Sequence, residues 1–345
     1  MKENNSFFEL DCSSYEDSDS LLQLAISLSA TIKKPCRIFN ISKEREKSGL
    51  ITQHLLAIQA LAQLTKGKLE GDELYSKEIK FWPGQDYQEM VSVKIETAIS
   101  IPLILQSLIL PAFFASKPIK ISFDGGATDT FFAPTIDYFR YVFLKILEKM
   151  TTKVELNILK RGYWPQGKAK VEVTTYPSKF KALNLVEKGQ FLEILAISGA
   201  SDILKDKKVA ERQLAGTREV LGKLNLKTEE RVEYYQTQGP GSQIFLMAKF
   251  ENTFLGTDEV GKLGKRSEDL GKETALELLK EQKSGACLDS YLTDQILPYL
   301  ALANNQSQVT VSKITNHCQN KMWLIEKFLN GKFEINNNLI SWNPN

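Results

Sequence analysis

Apolar positions along this chain follow two rhythms, a period of two over short runs and a period near 3.6 over longer ones, and their alternation recurs. Residues 7–11 read as a strand and 18–32 as an amphipathic helix opened by Asp and Ser capping types. Residues 36–41 then read as a strand and 49–65 as a helix, followed by short strands at 68–70 and 77–82, the second stopped by Pro83-Gly84. The same order returns from residue 90, with a strand at 90–95, a helix at 98–114, a strand at 119–123, a helix at 134–150, and strands at 154–159 and 169–173. Near the C-terminal end a third set reads as helix 290–302, strand 308–311, helix 317–329, and strands 332–335 and 339–342.

Between residues 185 and 278 the rhythm breaks. This stretch holds a hydrophobic strand at 191–198, a charged helix at 207–224, and a hairpin-like pair at 232–236 and 243–250 around Gly239-Pro240-Gly241. A structureless connection of that length is uncommon inside a compact domain, so the pattern predicts an insertion. The fold class expected is α/β (α+β). Three repeated β-α-β-α-β-β units form a large domain, 1–184 plus 279–345, and a smaller α/β domain, 185–278, is inserted in the third repeat.

Composition narrows the class without naming a function. A hydrophobic fraction of 42% and a charged fraction of 25% over 345 residues are those of an ordinary globular protein and exclude wholesale disorder. The formal charge of +2 excludes a large basic tail, although a nucleic-acid groove fits within a neutral total. Cys12, Cys36, Cys287 and Cys318 form no CxxC pair, which argues against a zinc site or a disulfide scaffold and suits a reducing compartment. The run from 101 to 115 is interrupted by Gln106, Ser107 and Pro111 and is too short to span a bilayer, and MKENNSFFELD lacks the apolar stretch of a signal peptide. A cytoplasmic protein with no membrane partner is expected.

The chain has two histidines, His54 and His317. His317 opens the helix that carries Trp323, Leu324, Ile325 and Phe328. A histidine there meets the positive end of the helix dipole, which favours a neutral, nucleophilic imidazole and gathers anions. His54 lies among Ile51, Leu55 and Ile58 at helical spacing, the setting of a histidine at the edge of a core.

Several segments in order resemble the RNA 3′-terminal phosphate cyclase family. KSGLITQHLLAIQALAQLTKGKLEG carries Gly49, Leu50, Gln53 and His54 of its Gly-Leu and Gln-His-Leu pattern, with Ser48 for a proline. GGATDTFFAPTIDYF carries Gly125, Gly126, Thr128, Asp129, Pro134, Asp137 and Tyr138. RGYWPQG follows with Trp164 for a tyrosine, and then QGPG at 238–241. DSYLTDQILPYLALA and TVSKITNH complete the series. The resemblance implies that a histidine attacks the α-phosphate of ATP, passes AMP to an RNA 3′-phosphate, and so lets the 2′-hydroxyl close a 2′,3′-cyclic phosphate. It implies ATP and Mg²⁺ (or Mn²⁺) as cofactors and an RNA 3′ end as partner. Carried over by position, His317 is the nucleophile and Glu16 the metal-binding carboxylate. Gln106, Pro134, Tyr291, Leu292, Thr293, Asp294, Gln295, Arg45, Gln53 and His54 are the ATP-binding positions. Arg45, Lys47, Arg161, Lys168 and Lys170 are candidates for RNA phosphates and Trp164 for a stacked base.

The chain also departs from the family pattern. Its first strand leads into DCSSYEDSDSLLQLA, where Asp17, Ser18 and Asp19 replace glycines, Ser20 a glutamine and Gln23 an arginine. Ser42 replaces another arginine, and CQNKM follows His317 in place of a Thr-Asn pair. Glycines let backbone amides approach phosphate. A carboxylate ~5 Å from a phosphate oxygen instead costs roughly 3 kcal/mol at an effective dielectric of ~20. A second reading follows from these changes: a catalytically impaired cyclase-like protein that acts as an RNA or ribonucleoprotein binding or processing factor.

Overall fold

The computed structural model describes residues 7–15, 18–42, 48–224 and 226–345. Strands β1 (Phe8–Asp11), β2 (Cys36–Phe39), β3 (Lys68–Glu70) and β4 (Glu78–Trp82) form a sheet in the order β1-β2-β4-β3. β5 (Met90–Ser100), β6 (Ile119–Ala127), β7 (Glu155–Lys160) and β8 (Lys170–Thr175) form a second, in the order β5-β6-β8-β7. β9 (Asn184–Leu185) begins a sheet that the chain completes only after a detour. The detour contains β10 (Phe191–Ser201), β11 (Thr228–Tyr235), β12 (Ser242–Phe250) and β13 (Phe254–Val260), ordered β11-β10-β12-β13. β14 (Ser307–Thr310), β15 (Gly331–Asn336) and β16 (Leu339–Pro344) then join β9 in the order β15-β16-β14-β9. In the sheets containing β1, β5 and β9, that strand runs parallel to its neighbour and the other pairs are antiparallel. The protein is a mixed α+β fold built from several small sheets.

Helices α1 (Ser18–Ile32), α2 (Thr52–Thr65) and α3 (Ile101–Ala112) pack on one another. Their sequences explain the arrangement. α1 buries Leu21, Leu22, Ala25, Ile26 and Leu28 around most of its circumference, and α3 is buried over nearly its whole length. Helices apolar all round belong at the centre, where each fully buried Leu or Ile contributes about 1.5–3 kcal/mol over exposure. A single core joins these helices to the inward faces of the sheets, such as Val91, Val93 and Ile95 of β5. Helices α8 (Ser290–Ala301) and α9 (Asn316–Phe328) extend the group, α9 packing on both α1 and α8. The sheet β11-β10-β12-β13 has a core of its own, in which Ile194, Ile244, Leu246 and Leu255 meet Leu214, Leu270 and Leu278. The last three come from α6 (Val209–Leu221) and α7 (Ser267–Lys283).

Three local differences from the sequence expectation have physical causes. The helix expected from residue 49 begins at Thr52, because Gly49 sits at φ +102° with the Tyr75 carbonyl so close that a Cβ would lie 2.3 Å from its oxygen. The helix expected over 134–150 starts at Ile136 under a Thr135 cap and contains a π turn over Phe139–Phe143, between short α segments α4 (Ile136–Tyr138) and α5 (Leu144–Leu147). The expected hairpin of 232–236 with 243–250 does not form. β10 lies between the two strands, parallel to β11 and antiparallel to β12, and β12 turns back instead on β13.

Candidate functional site

Side chains from five helices converge on one cleft of about 1050 Å³. α1 contributes Asp19, Ser20 and Gln23, α2 contributes Gln53 and His54, and α3 contributes Gln106. α8 contributes Tyr291, Asp294 and Gln295, and α9 contributes His317 and Lys321. α7 adds Glu277, Lys280 and Glu281 along one side, and Phe131 and Phe132 form a lip.

His317 is the second residue of α9 and is exposed to the cleft. Its helix start is fixed by Thr315, whose Oγ1 accepts a hydrogen bond from the Cys318 amide at 3.1 Å. Four residues on, Lys321 donates to Asp294 Oδ2 at 2.6 Å, tying α9 to α8. α8 is itself capped by Asp289, a buried carboxylate that accepts from the Tyr291 and Leu292 amides, the Gly256 amide and the Tyr138 hydroxyl. Burial raises the Asp289 carboxyl to about 6.

Across the cleft, Asp19 lies in the first turn of α1. Its Oδ1 accepts from Ser42 Oγ at 2.8 Å, and its Oδ2 stands 3.7 Å from His54 Nε2. Three residues that sequence treats separately (two replacements and a histidine of apolar setting) therefore form one group. The negative charge that the turn introduces is met by a hydroxyl and an imidazole. His54 is buried, as its apolar neighbours imply, yet it also lines the cleft.

Among the described residues, two amides on the cleft wall have buried polar atoms without hydrogen-bond partners, Gln106 Nε2 and Gln295 Oε1. One is a donor and the other an acceptor. Burying such groups unpaired costs about 1–3 kcal/mol each, so they suit a ligand that offers complementary edges, as an adenine does. The structure thus brings Gln53, His54, Gln106, Tyr291, Asp294, Gln295 and His317 to one cleft. Leu292 and Thr293 are buried on the inner face of α8 and do not line it, and neither does Pro134, which precedes the Thr135 cap. Glu16, Arg45 and Lys47 lie outside the described residues. Among the described residues, no group of three or more His, Cys, Asp or Glu is arranged to hold a metal.

Arg161 is not available to RNA. It is 5% exposed and pairs with Asp137 at 2.6 Å and Asp129 at 3.2 Å. Trp164 is half exposed and meets Phe131 of the cleft lip edge-on, ring centroids 5.5 Å apart. Sequence reasoning passed over Lys321, Glu281 and the Phe131–Phe132 lip. Only Lys321 had a signal, its helical i, i+4 spacing from His317.

Comparison with known proteins settles the family. The model of the RNA 3′-terminal phosphate cyclase family matches residues 15–335. This chain belongs to that family. A protein named RNA 3′-terminal phosphate cyclase from Korarchaeum cryptofilum is 38% identical over 331 residues, covering 95% of this chain and 94% of its own. Those of Ignicoccus hospitalis (37% over 329 residues, 93% and 92%) and Thermococcus kodakarensis (38% over 329 residues, 95% and 94%) are similarly close. The chain is thus related over nearly its whole length to proteins named for the cyclisation of RNA 3′-terminal phosphates. No helix among the described residues is long and apolar enough to cross a membrane.

Proposed function

We propose that this chain converts an RNA 3′-terminal phosphate to a 2′,3′-cyclic phosphate through a covalent histidine–AMP intermediate on His317. One observation supports this reading most directly: His317, at the exposed start of α9, opens on the same cleft as Gln53, His54, Gln106, Tyr291, Asp294 and Gln295. In this mechanism a ring nitrogen of His317 bonds to the α-phosphorus while the bond to the bridging oxygen of pyrophosphate breaks. An oxygen of the RNA 3′-phosphate then takes the AMP phosphorus from His317, restoring the imidazole. The 2′-hydroxyl attacks the activated 3′-phosphorus, loses its proton, and AMP departs. Each step is easier than direct loss of an oxide from the phosphate. Gln106 and Gln295 hold the adenine edge, and Tyr291, more than half exposed, offers a ring to its face. By family position Glu16 would hold a divalent ion, and that ion would offset charge on the triphosphate.

The reading also divides the chain into a large unit, 1–184 with 279–345, and an inserted one, 185–278, supported by the separate core of the β10–β13 sheet. Four buried free cysteines suit a cytoplasmic setting.

The impaired-relative reading draws on Asp19, a carboxylate at the mouth of a phosphate-binding cleft. Intact-mass spectrometry after incubation with ATP and Mg²⁺ or Mn²⁺ separates the two. An AMP-sized adduct that His317→Ala abolishes supports catalysis; no adduct with either metal overturns it.

A further inference from the structure

Among the described residues, four carboxylates line the cleft (Asp19, Glu277, Glu281 and Asp294) against three lysines, Lys280, Lys313 and Lys321. A site that takes a polyanion needs cations where charge develops, and the three lysines are not equivalent. Lys280 is exposed and engages Glu277 on its own helix, and Lys313 is exposed on a loop. The Lys321 side chain is 14% exposed and held 2.6 Å from Asp294. It follows His317 by four residues on α9, a spacing that sets two Cβ atoms about 5–6 Å apart on one helix face. An ammonium carries three hydrogens. Asp294 takes one, which leaves two for phosphoryl oxygens.

We propose that Lys321 is a catalytic residue that contacts the phosphoryl group His317 accepts, with Asp294 positioning its ammonium. The inference rests on the histidine–AMP reading of His317. As the His317 nitrogen bonds to phosphorus and the bond to the pyrophosphate oxygen breaks, Lys321 donates hydrogen bonds to the non-bridging oxygens, where charge develops. Holding the ammonium beforehand removes the cost of ordering a lysine side chain during the reaction.

The test is single-turnover formation of the AMP adduct at saturating ATP and Mg²⁺, followed by intact mass, with tripolyphosphate binding by calorimetry alongside. Lys321→Met is expected to slow adduct formation by roughly 30-fold or more and to weaken tripolyphosphate binding about 10-fold, with Lys321→Arg recovering most of both. The double variant Asp294→Asn/Lys321→Met removes the ion pair without stranding a carboxylate, and it is expected to stay slow. Recovery in the double variant overturns the proposal, because Lys321 would then serve only to neutralise Asp294. A Lys321→Met rate within about threefold of wild type also overturns it, and the histidine reading stands. If wild type forms no adduct but binds tripolyphosphate through Lys321, the phosphate contact stands and the histidine reading falls. If wild type does neither, both fall.

Discussion

Gly125 in β6 sits at φ +100°, where an added Cβ would lie 1.8 Å from the Ile95 carbonyl oxygen. The chain bends there into Thr128 and Asp129, which lead to the cleft lip at Phe131. Gly125→Ala combines a left-handed backbone penalty with a backbone clash, so a loss of about 3 kcal/mol or more is expected in urea unfolding. A wild-type midpoint in the variant would contradict that account. At this scale the sequence was readable where one residue carries its own constraint. It was silent where meaning depends on a distant partner. His317 was visible as a helix-opening histidine, and the apolar spacing around His54 gave its burial. That Asp19 is engaged by Ser42 and His54 was not visible, because three separate segments supply the group. Asp19 therefore read as an uncompensated charge.

Two helix starts carry the candidate site, and each rests on one capping side chain. Thr315 accepts from the Cys318 amide and holds the first turn of α9, where His317 sits. Thr315→Ala is expected to cost about 1 kcal/mol and Thr315→Ser very little. Adduct formation should fall several-fold only in the alanine variant, as mass spectrometry at early times would show. Asp289 caps α8 from a buried position and stays protonated to about pH 6 in the folded chain, whereas the unfolded carboxyl titrates near its ordinary 3.8. The folded chain thus holds an extra proton between those values, and this contribution to stability is full below about pH 4 and fades as pH rises through 6. Asp289→Asn keeps one oxygen to accept from the Tyr291 and Leu292 amides but turns an NH2 on the Gly256 amide, and it does not titrate. Its deficit should be largest near pH 4 and shrink by up to about 3 kcal/mol by pH 7, measured as the difference in unfolding free energy from wild type. Element order was largely legible, since long periodic runs such as α1 and α9 appear where the pattern puts them. β13, α7 and the pairing of β11 were not legible, because which strands meet is a long-range choice. Helix α7, rich in charge with only Leu270, Ala275 and Leu278 as buried apolar residues, shows a weak stripe until α6 is set beside it.

At the scale of the whole molecule, a buried polar seam joins the sheet of β5–β8 to the sheet of β10–β13. Arg161 lies between Asp129 and Asp137 on one side. On the other, with the Gln243 amide turned so that its oxygen faces the guanidinium, Arg161 donates to that oxygen at 3.1 Å and the Gln243 nitrogen donates to the Gly199 carbonyl at 3.0 Å. Asp258 of β13 accepts from the Thr135 amide at 2.5 Å, so the cap of α4 also bridges to that sheet. Asp129, Thr135, Asp137 and Arg161 of GGATDTFFAPTIDYF and RGYWPQG fall along this seam, whereas Phe131 and Phe132 line the cleft, so part of that pattern reports how two layers are held together. Burial already pushes the Asp129 carboxyl up, against the pull of Arg161. Arg161→Met would leave two buried carboxylates facing each other, at an expected cost of about 3–5 kcal/mol. Adding Asp129→Asn and Asp137→Asn should recover most of that stability, because the loss comes from stranded charge and not from missing attraction. Urea unfolding of the single and triple variants tests the point. A triple variant as unstable as Arg161→Met would mean that the guanidinium's hydrogen bonds across the seam, Gln243 included, matter more than its charge. The cleft supplies a second readout. α7 follows β13 and brings Glu277, Lys280 and Glu281 to the cleft wall, so loosening the seam should weaken nucleotide binding while His317 stays in place on α9. A triple variant that folds and binds ATP like wild type would show that the seam's polar chemistry serves stability alone.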